Sequence, residues 1–414
     1  MHNDHMQSSL VASADFGGMK QLLSEIDPDT DLNSVIELKE RVHKICSNFL
    51  GGAWKHYSAE EIKLKRMNGG MSNILFICSL PNKCQPIRGE PHTVLIRIYF
   101  NPETETHLVA ESVIFTLLSE RHLGPKLYGI FSGGRIEEFI PSRTIRCTEL
   151  SVKSVSEAIA KQLAQIHQLD VPIWKEPDYL CNTMERWLTR LNDYPIGQTS
   201  FKLPQHCTNG IPELIDCDGL AKELRFIKRC IAMSESPVVF CHNDLQEGNI
   251  LVPNDFSSNI HSSSLPVEVT NSNGILNSRL IFIDFEYASY NYRAFDFANH
   301  FVEFIFSYDT SRIPFYTVSE DLFPTISQQL IFFEAYLKEL HHDNTISDLD
   351  KKARELIKET LPFIPVCHFF WAVWALLQFE NFPVELGYKD FAVDRLGLYY
   401  RNRYRLEELL DSTK

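Results

Sequence analysis

Close-spaced cysteine pairs are missing from this sequence. Its ten cysteines are scattered over 414 residues with no Cys-x-x-Cys and no metal-ligand spacing. That excludes a zinc ribbon and supplies no disulfide framework, so reduced thiols in the cytoplasm are the expectation. Basic residues are also scarce. Forty Lys and Arg against 54 Asp and Glu leave a net charge of −14, which excludes broad nucleic-acid affinity, since that needs cations to displace counterions. The same balance suits a cationic small molecule. The stretch up to Gly18 is polar and Ser-rich with no apolar h-region, so it is not read as a signal peptide. One long apolar run occurs, Leu361–Phe379, and Pro362, Pro365, His368 and Gln378 interrupt it. A buried core helix fits it better than a membrane span, and no membrane insertion is expected. No internal repeat is present.

What is there is enough apolar material, 44% of residues, for a large core, in a chain longer than one ordinary domain. Residues 1–30 are expected to be a flexible tail. Val35, Leu38, Val42, Ile45 and Phe49 recur at helical spacing before Gly51-Gly52, which predicts a helix over Leu32–Leu50. Ile62–Met67 and Ile74–Leu80 are strands around the glycine-rich turn 68–73, and Thr93–Phe100 is a strand with one internal charge, Arg97. A helix follows over Glu105–Arg121, then a hairpin of Lys126–Phe131 and Arg135–Ile140. From Glu149 onward the pattern is helical apart from strands around Asp244 and Asp284. The predicted helices are Val152–Leu169, Thr183–Leu191, Glu213–Met233, Phe295–Phe306, Ile326–Leu340, Lys351–Lys358, Pro365–Glu380 and Tyr388–Leu410. The fold class is therefore α+β and bilobal, with a β-rich N-lobe (31–140) and a mostly helical C-lobe (141–414). A Ser/Asn-rich insert, 253–278, is expected to be disordered.

The chemistry concentrates in Phe240–Val252, a polar loop between two short apolar runs. Asp244 and Asn249 lie five residues apart behind His242, and Asp284 follows the next apolar run, Leu280–Ile283. A base, an amide oxygen and a second carboxylate at strand ends are the parts of a metal-dependent phosphoryl-transfer site. Asp and Asn also cap turns without any catalytic role, but capping does not account for Asp284 in the same strand–acid context. Asn249 and Asp284 offer hard oxygen ligands of the kind Mg²⁺ takes. Arg97 in an apolar strand needs a partner if buried, and Glu111 on the next helix is the one proposed. The turn at Gly69-Gly70 is what any tight hairpin requires; its sharper reading is a flap approaching phosphates.

The segments His242–Asn249 and Asp284–Arg293, with Gly69–Asn73, Glu138–Arg143 and the Trp371/Trp374 helix, resemble the choline/ethanolamine kinase family over residues 60–405. The resemblance implies a eukaryotic-protein-kinase-like fold, ATP, Mg²⁺, and transfer of the γ-phosphate to choline, with ethanolamine as the alternative acceptor. It implies Asp244 as base, Gln246 and Asn249 on the phosphate and metal side, and Asp284 as a magnesium ligand. Gly69, Gly70, Met71, Ser72 and Asn73 would form the flap, with Arg97 and Glu111 at the phosphates. Glu138, Phe139, Ile140, Pro141, Ser142, Arg143 and Thr144 would form the hinge beside adenine. A quaternary ammonium donates no hydrogen bond and is held by aromatic faces and carboxylates. The family places Tyr287, Tyr308, Trp371 and Trp374 around it. Phe391 stands where the family often has Tyr, and Leu386 where an aromatic is common. A homodimer is a further expectation of the resemblance. A protein kinase is disfavoured because Asp-Phe-Glu replaces Asp-Phe-Gly and no Ala-Pro-Glu follows. A pseudokinase is disfavoured because Asp244, Asn249 and Asp284 are all present.

Overall fold

In a computed structural model, the described residues are 18–27, 30–67, 73–99, 105–203, 212–254, 280–342, 347–381 and 387–411. The chain divides into two compact units, Met1–Pro141 and Ser142–Lys414. The flap residues 69–72, nearly all of the 253–278 insert, and Leu386 lie outside the described residues.

The first unit is a five-stranded antiparallel sheet flanked by helices. Its strands are β1 (Lys63–Arg66), β2 (Asn73–Ser79), β3 (Thr93–Tyr99), β4 (Leu127–Phe131) and β5 (Gly134–Glu138), in the order β1-β2-β3-β5-β4. The two-residue period of β3 sorts its side chains onto opposite faces. Val94, Ile96 and Ile98 join Leu38, Val42 and Ile45 of helix α2 (Ile36–Leu50) in one apolar core. Helix α2 stops at Gly51, whose φ of +66° favours glycine. Within the stretch expected to be a tail, Met19–Glu25 instead forms helix α1, because Met19 and Leu23 bury themselves in this same core.

The opposite face of β3 carries a charged cluster with helix α3 (Glu105–Glu120). Here the expected partnership changes. Arg97 Nε donates to Glu137 Oε1 at 2.8 Å, and the guanidinium bonded to Glu111 is that of Arg135, at 2.6 Å. Strand register explains the exchange. Arg97 and Arg135 are direct partners across β3 and β5, so Arg135 takes the carboxylate on α3. Glu137, two residues along β5 and on the same face, bonds both arginines. Burial pushes Glu137 up, but Arg97 and Arg135 together hold its carboxyl below the usual 4.5.

The second unit is mainly helical. Its elements in order are β6 (Ser142–Thr144), α4 (Cys147–Leu150), α5 (Lys153–His167), α6 (Tyr179–Leu191), β7 (Phe201–Lys202), β8 (Leu214–Ile215) and α7 (Cys217–Ile231). Next come β9 (Val238–Cys241), β10 (Ile250–Pro253), β11 (Ile281–Phe282), β12 (Ser289–Tyr292), α8 (Arg293–Glu303), β13 (Phe306–Ser307) and β14 (Thr317–Val318). The chain closes with α9 (Ile326–His341), α10 (Leu349–Thr360), α11 (Phe363–Asn381), α12 (Tyr388–Asn402) and α13 (Tyr404–Asp411). The sequence reading left no strands after Glu149 beyond those near Asp244 and Asp284. The structure adds β12, which pairs with β9, and the short pairs β7–β8 and β13–β14, too brief to register as periodic runs.

The apolar run singled out above forms α11. It lies within Leu349–Phe379, a segment with the length and composition of a membrane span, but 89% of that segment's most apolar 18-residue window is buried inside the protein. It packs against α6, α8 and α12 and is the centre of the second unit's core.

Candidate active site

The loop from His242 to Asn249 is fixed by its flanking strands. β9 pairs with β12, and β10 pairs with β11, so that Ile250 lies opposite Phe282. The Ile283 amide then donates to the Asn249 carbonyl at 3.0 Å. This register brings the ends carrying Asn249 and Asp284 side by side. Asn249 Nδ2 donates to the Asp244 carbonyl and to Asp244 Oδ2, both at 2.8 Å. That fixes the carboxylate and leaves Oδ1 as the Asn249 side chain's hard oxygen. Gln246 accepts from the Gly248 amide at 3.0 Å and closes the turn between them.

Two residues here adopt left-handed backbone: Asn243 at φ +65° and Asp284 at φ +64°. Such conformations persist only where the surroundings determine them. For Asn243 those surroundings are visible. Its Nδ2 donates to Tyr287 O and Ser289 Oγ, and its Oδ1 accepts from Asn291 Nδ2 at 2.8 Å. His242 ties the two acid-bearing loops together: its Nδ1 accepts from the Asp244 amide at 3.3 Å and its Nε2 donates to Ile283 O at 3.0 Å.

Helix α8 anchors the whole loop. Asp296 is fully buried and accepts from the His242 and Asn243 amides at 2.7 and 2.6 Å, and from His167 Nε2 at 3.1 Å. Burial pushes this carboxyl up, but the His167 bond and its charge hold it below the usual 3.8. One turn on, His300 Nδ1 donates to Leu245 O at 3.1 Å. His167, read from sequence as a packed support for the loop, thus bears on it through Asp296; its other nitrogen meets Tyr336 Oη at 2.8 Å.

The same helix leads to the aromatic residues. Asn299 accepts from Trp371 Nε1 at 2.7 Å, and Glu303, four residues further, accepts from Tyr308 Oη at 3.0 Å. Trp371 and Trp374 share a face of α11, with ring centres 5.6 Å apart, and Trp374 Nε1 donates to Tyr287 Oη at 2.9 Å. Tyr287 lies edge-on to Trp371 at 5.5 Å. Tyr308 and Phe391 form a second group, 6.3 Å apart. The five aromatic residues singled out from sequence therefore fall into two clusters joined along one side of α8.

Burial pushes the Asp244 carboxyl well above its usual 3.8, and the charges of Glu303, Asp284 and Glu286 add to the shift. A carboxylate whose pKa is raised is, when ionised, a stronger proton acceptor. Glu303 and Arg395 escaped the sequence reading. They form a buried ion pair, and the only sequence signal was that each lies on the apolar face of its helix, where an unpaired charge would be costly.

The remaining positions belong to other elements. Arg97 and Glu111 belong to the first unit's charged cluster. Glu138 ends β5, Ser142–Thr144 form β6 against β10, and Arg143 forks onto Glu149 with two bonds of 2.7 Å. Phe139, Ile140 and Pro141 connect the two strands.

A β-sheet unit followed by a helical unit with an Asp–Asn loop and an Asp after the next strand defines a kinase-like phosphotransferase. The solved choline kinase of Cryptosporidium parvum superimposes with a TM-score of 0.67 at 21% identity, over 90% of this chain and 97% of that one. The ethanolamine kinase of Plasmodium vivax gives the same TM-score at 22% identity, over 94% and 96%. The sequence model described as choline/ethanolamine kinase matches residues 64–400. Choline kinase A2 of Caenorhabditis elegans is 55% identical over 407 residues, 97% of this chain and 94% of that protein. The human choline/ethanolamine kinase is 37% identical over 382 residues, 91% and 89%. The chain belongs to the choline/ethanolamine kinase family.

Proposed function

We propose that the protein transfers the γ-phosphate of ATP to choline, giving phosphocholine and ADP; the alternative is an ethanolamine kinase or a dual choline/ethanolamine kinase. The observation that carries this reading is helix α8. It anchors the Asp244 loop through Asp296 and His300 and, on its following turns, reaches Trp371 through Asn299 and Tyr308 through Glu303. A phosphoryl-transfer loop and a cation-binding aromatic surface are thereby built on one rigid element.

In this reading Asp244 accepts the proton of the choline hydroxyl as that oxygen attacks the γ-phosphorus and ADP departs. Asn249 holds the Asp244 carboxylate in orientation. Asn249 Oδ1 and the Asp284 carboxylate form an all-oxygen donor pair that suits Mg²⁺, which neutralises phosphate charge when bound. Gln246 keeps the intervening turn closed. Tyr287, Trp371, Trp374 and Tyr308 receive the trimethylammonium group, with Phe391 behind Tyr308 and the carboxylates of Glu303 and Glu286 adding attraction for the cation. Arg97 contributes positive charge toward the nucleotide phosphates from the first unit, steadied by Glu137. Glu111 supports it indirectly through Arg135, the flap residues 69–73 cover the phosphates, and residues 138–144 are the adenine hinge. A cytoplasmic, dimeric enzyme completes the proposal; the nine described cysteines are all free thiols, which suits a reducing compartment.

Labelled ATP tests the reading. The label is expected on choline with one ADP formed per phosphocholine. Label on protein substrates and none on choline would overturn it.

A further inference from the structure

Glu303 is a buried carboxylate bonded to Tyr308 of the proposed acceptor site, and both of its oxygens are already engaged. Oε1 is bonded by Arg395 Nη2, and Oε2 accepts from Tyr308 Oη at 3.0 Å. Glu303 is 3% exposed and Arg395 1%. The guanidinium is itself clamped, 3.6 Å above the Phe306 ring and 4.8 Å from that of Phe391, with Nη1 3.3 Å from His368 Nδ1. It also lies 3.5 Å from Tyr308 Oη. A protein cation thus occupies the carboxylate where a substrate cation would otherwise bond.

We propose that Arg395 sets acceptor preference by occupying Glu303, so that the site favours a quaternary over a primary ammonium. This deepens the choline reading and rests on it. The two acceptors differ in what they require once stripped of water. A trimethylammonium group has no N–H and needs only a negative field and ring faces. A primary ammonium carries three donors, and each left without an acceptor after desolvation weakens binding. A Glu303 carboxylate shared between a guanidinium and a phenol contributes field but is a poor acceptor for further directional bonds. Arg395 is therefore a positioning residue acting through Glu303. Phe391 holds one side of the guanidinium, which gives that aromatic a role independent of direct contact with choline.

The test compares kcat/KM for choline and for ethanolamine in the wild type and in Arg395→Met, Arg395→Lys and Tyr308→Phe, with KM for ATP as the control. Removing the guanidinium is expected to move the choline-to-ethanolamine ratio toward ethanolamine by about tenfold or more, as for sites that gain or lose a hydrogen-bonding partner. Tyr308→Phe, which frees Oε2 without stranding a charge, should move it the same way by a smaller factor. Arg395→Lys should restore most of the choline preference, and KM for ATP should hold within about twofold throughout. A ratio unchanged in Tyr308→Phe and in any folded Arg395→Met, or one shifted toward choline, overturns the proposal. Should Arg395→Met fail to fold, Tyr308→Phe alone decides. A wild type inactive on both alcohols overturns instead the reading on which it rests.

Discussion

Replacing Asp296 by Asn removes one charge from beneath the Asp244 loop and leaves the shape almost unchanged. The carboxylate accepts the His242 amide, the Asn243 amide and His167 Nε2, whereas an amide offers one oxygen and turns two N–H donors toward whatever remains. At least one backbone N–H then faces a donor, and an orphaned buried donor costs about 1–3 kcal/mol. Breaking the buried pair with His167 brings the expected loss to about 3–5 kcal/mol. For a unit of this size that is a fall in Tm of about 6–10 °C. Turnover should suffer more than stability. A displacement of about 1 Å in the loop carrying Asp244 can lower the rate about 100-fold, while KM for ATP should change little. The folded-state pKa of Asp296 is depressed, so its stabilisation is present above the unfolded value of 3.8 and is lost as pH falls through the lower folded one. The difference between wild type and Asp296→Asn should therefore narrow in acid. Thermal denaturation and steady-state kinetics with choline measure both effects. A variant with wild-type Tm and kcat would refute the claim that Asp296 holds the loop.

Trp371→Ala removes one ring from the aromatic surface, worth about 0.5–2 kcal/mol to a cation, and should raise KM for choline about 2- to 30-fold. KM for ATP should stay level; equal rises in both would remove Trp371 from the acceptor site. The pH profile reports on Asp244. A base must be ionised, and burial with the charges of Glu303, Asp284 and Glu286 raises its pKa. The acid limb of kcat/KM for choline should therefore lie well above pH 3.8, with activity rising as pH rises through it. In kcat the limb should shift to lower pH, because bound choline favours the carboxylate. A profile flat down to about pH 4 would contradict this.

The arrangement of the Asp244 loop was legible because it is largely local: Asp244 and Asn249 share one turn, and Asp284 comes after β11, the second strand beyond it. Trp371 and Trp374 were legible because a spacing of three on an apolar helix puts both on one face. What sequence could not convey was register. Arg97 and Glu111 both belong to the buried charged cluster, but only the alignment of Arg97 with Arg135 across β3 and β5 shows which guanidinium meets which carboxylate. Strand β12, which sets the loop's other edge, was hidden in Ser289–Tyr292, where no alternation of apolar and polar residues marks it. Asp296, Glu303 and Arg395 were missed for a related reason: the loop amides and His167 that Asp296 bonds, and the two members of the Glu303–Arg395 pair, lie between 53 and 129 residues apart along the chain. A helical charge is informative only once the packing partner of that face is known. Helix α1 was missed because one turn of apolar contacts, Met19 and Leu23, is too short to establish a period.

The central claim is that Asp244 takes the proton from the choline hydroxyl. Asp244→Ala, assayed for phosphocholine formation beside the wild type with ATP binding measured separately, tests it most directly. Loss of a general base lowers the rate by about 10²- to 10⁴-fold, so turnover should fall by at least that much while ATP binds as before. An Asp244→Ala enzyme that phosphorylates choline at near wild-type kcat would contradict the account.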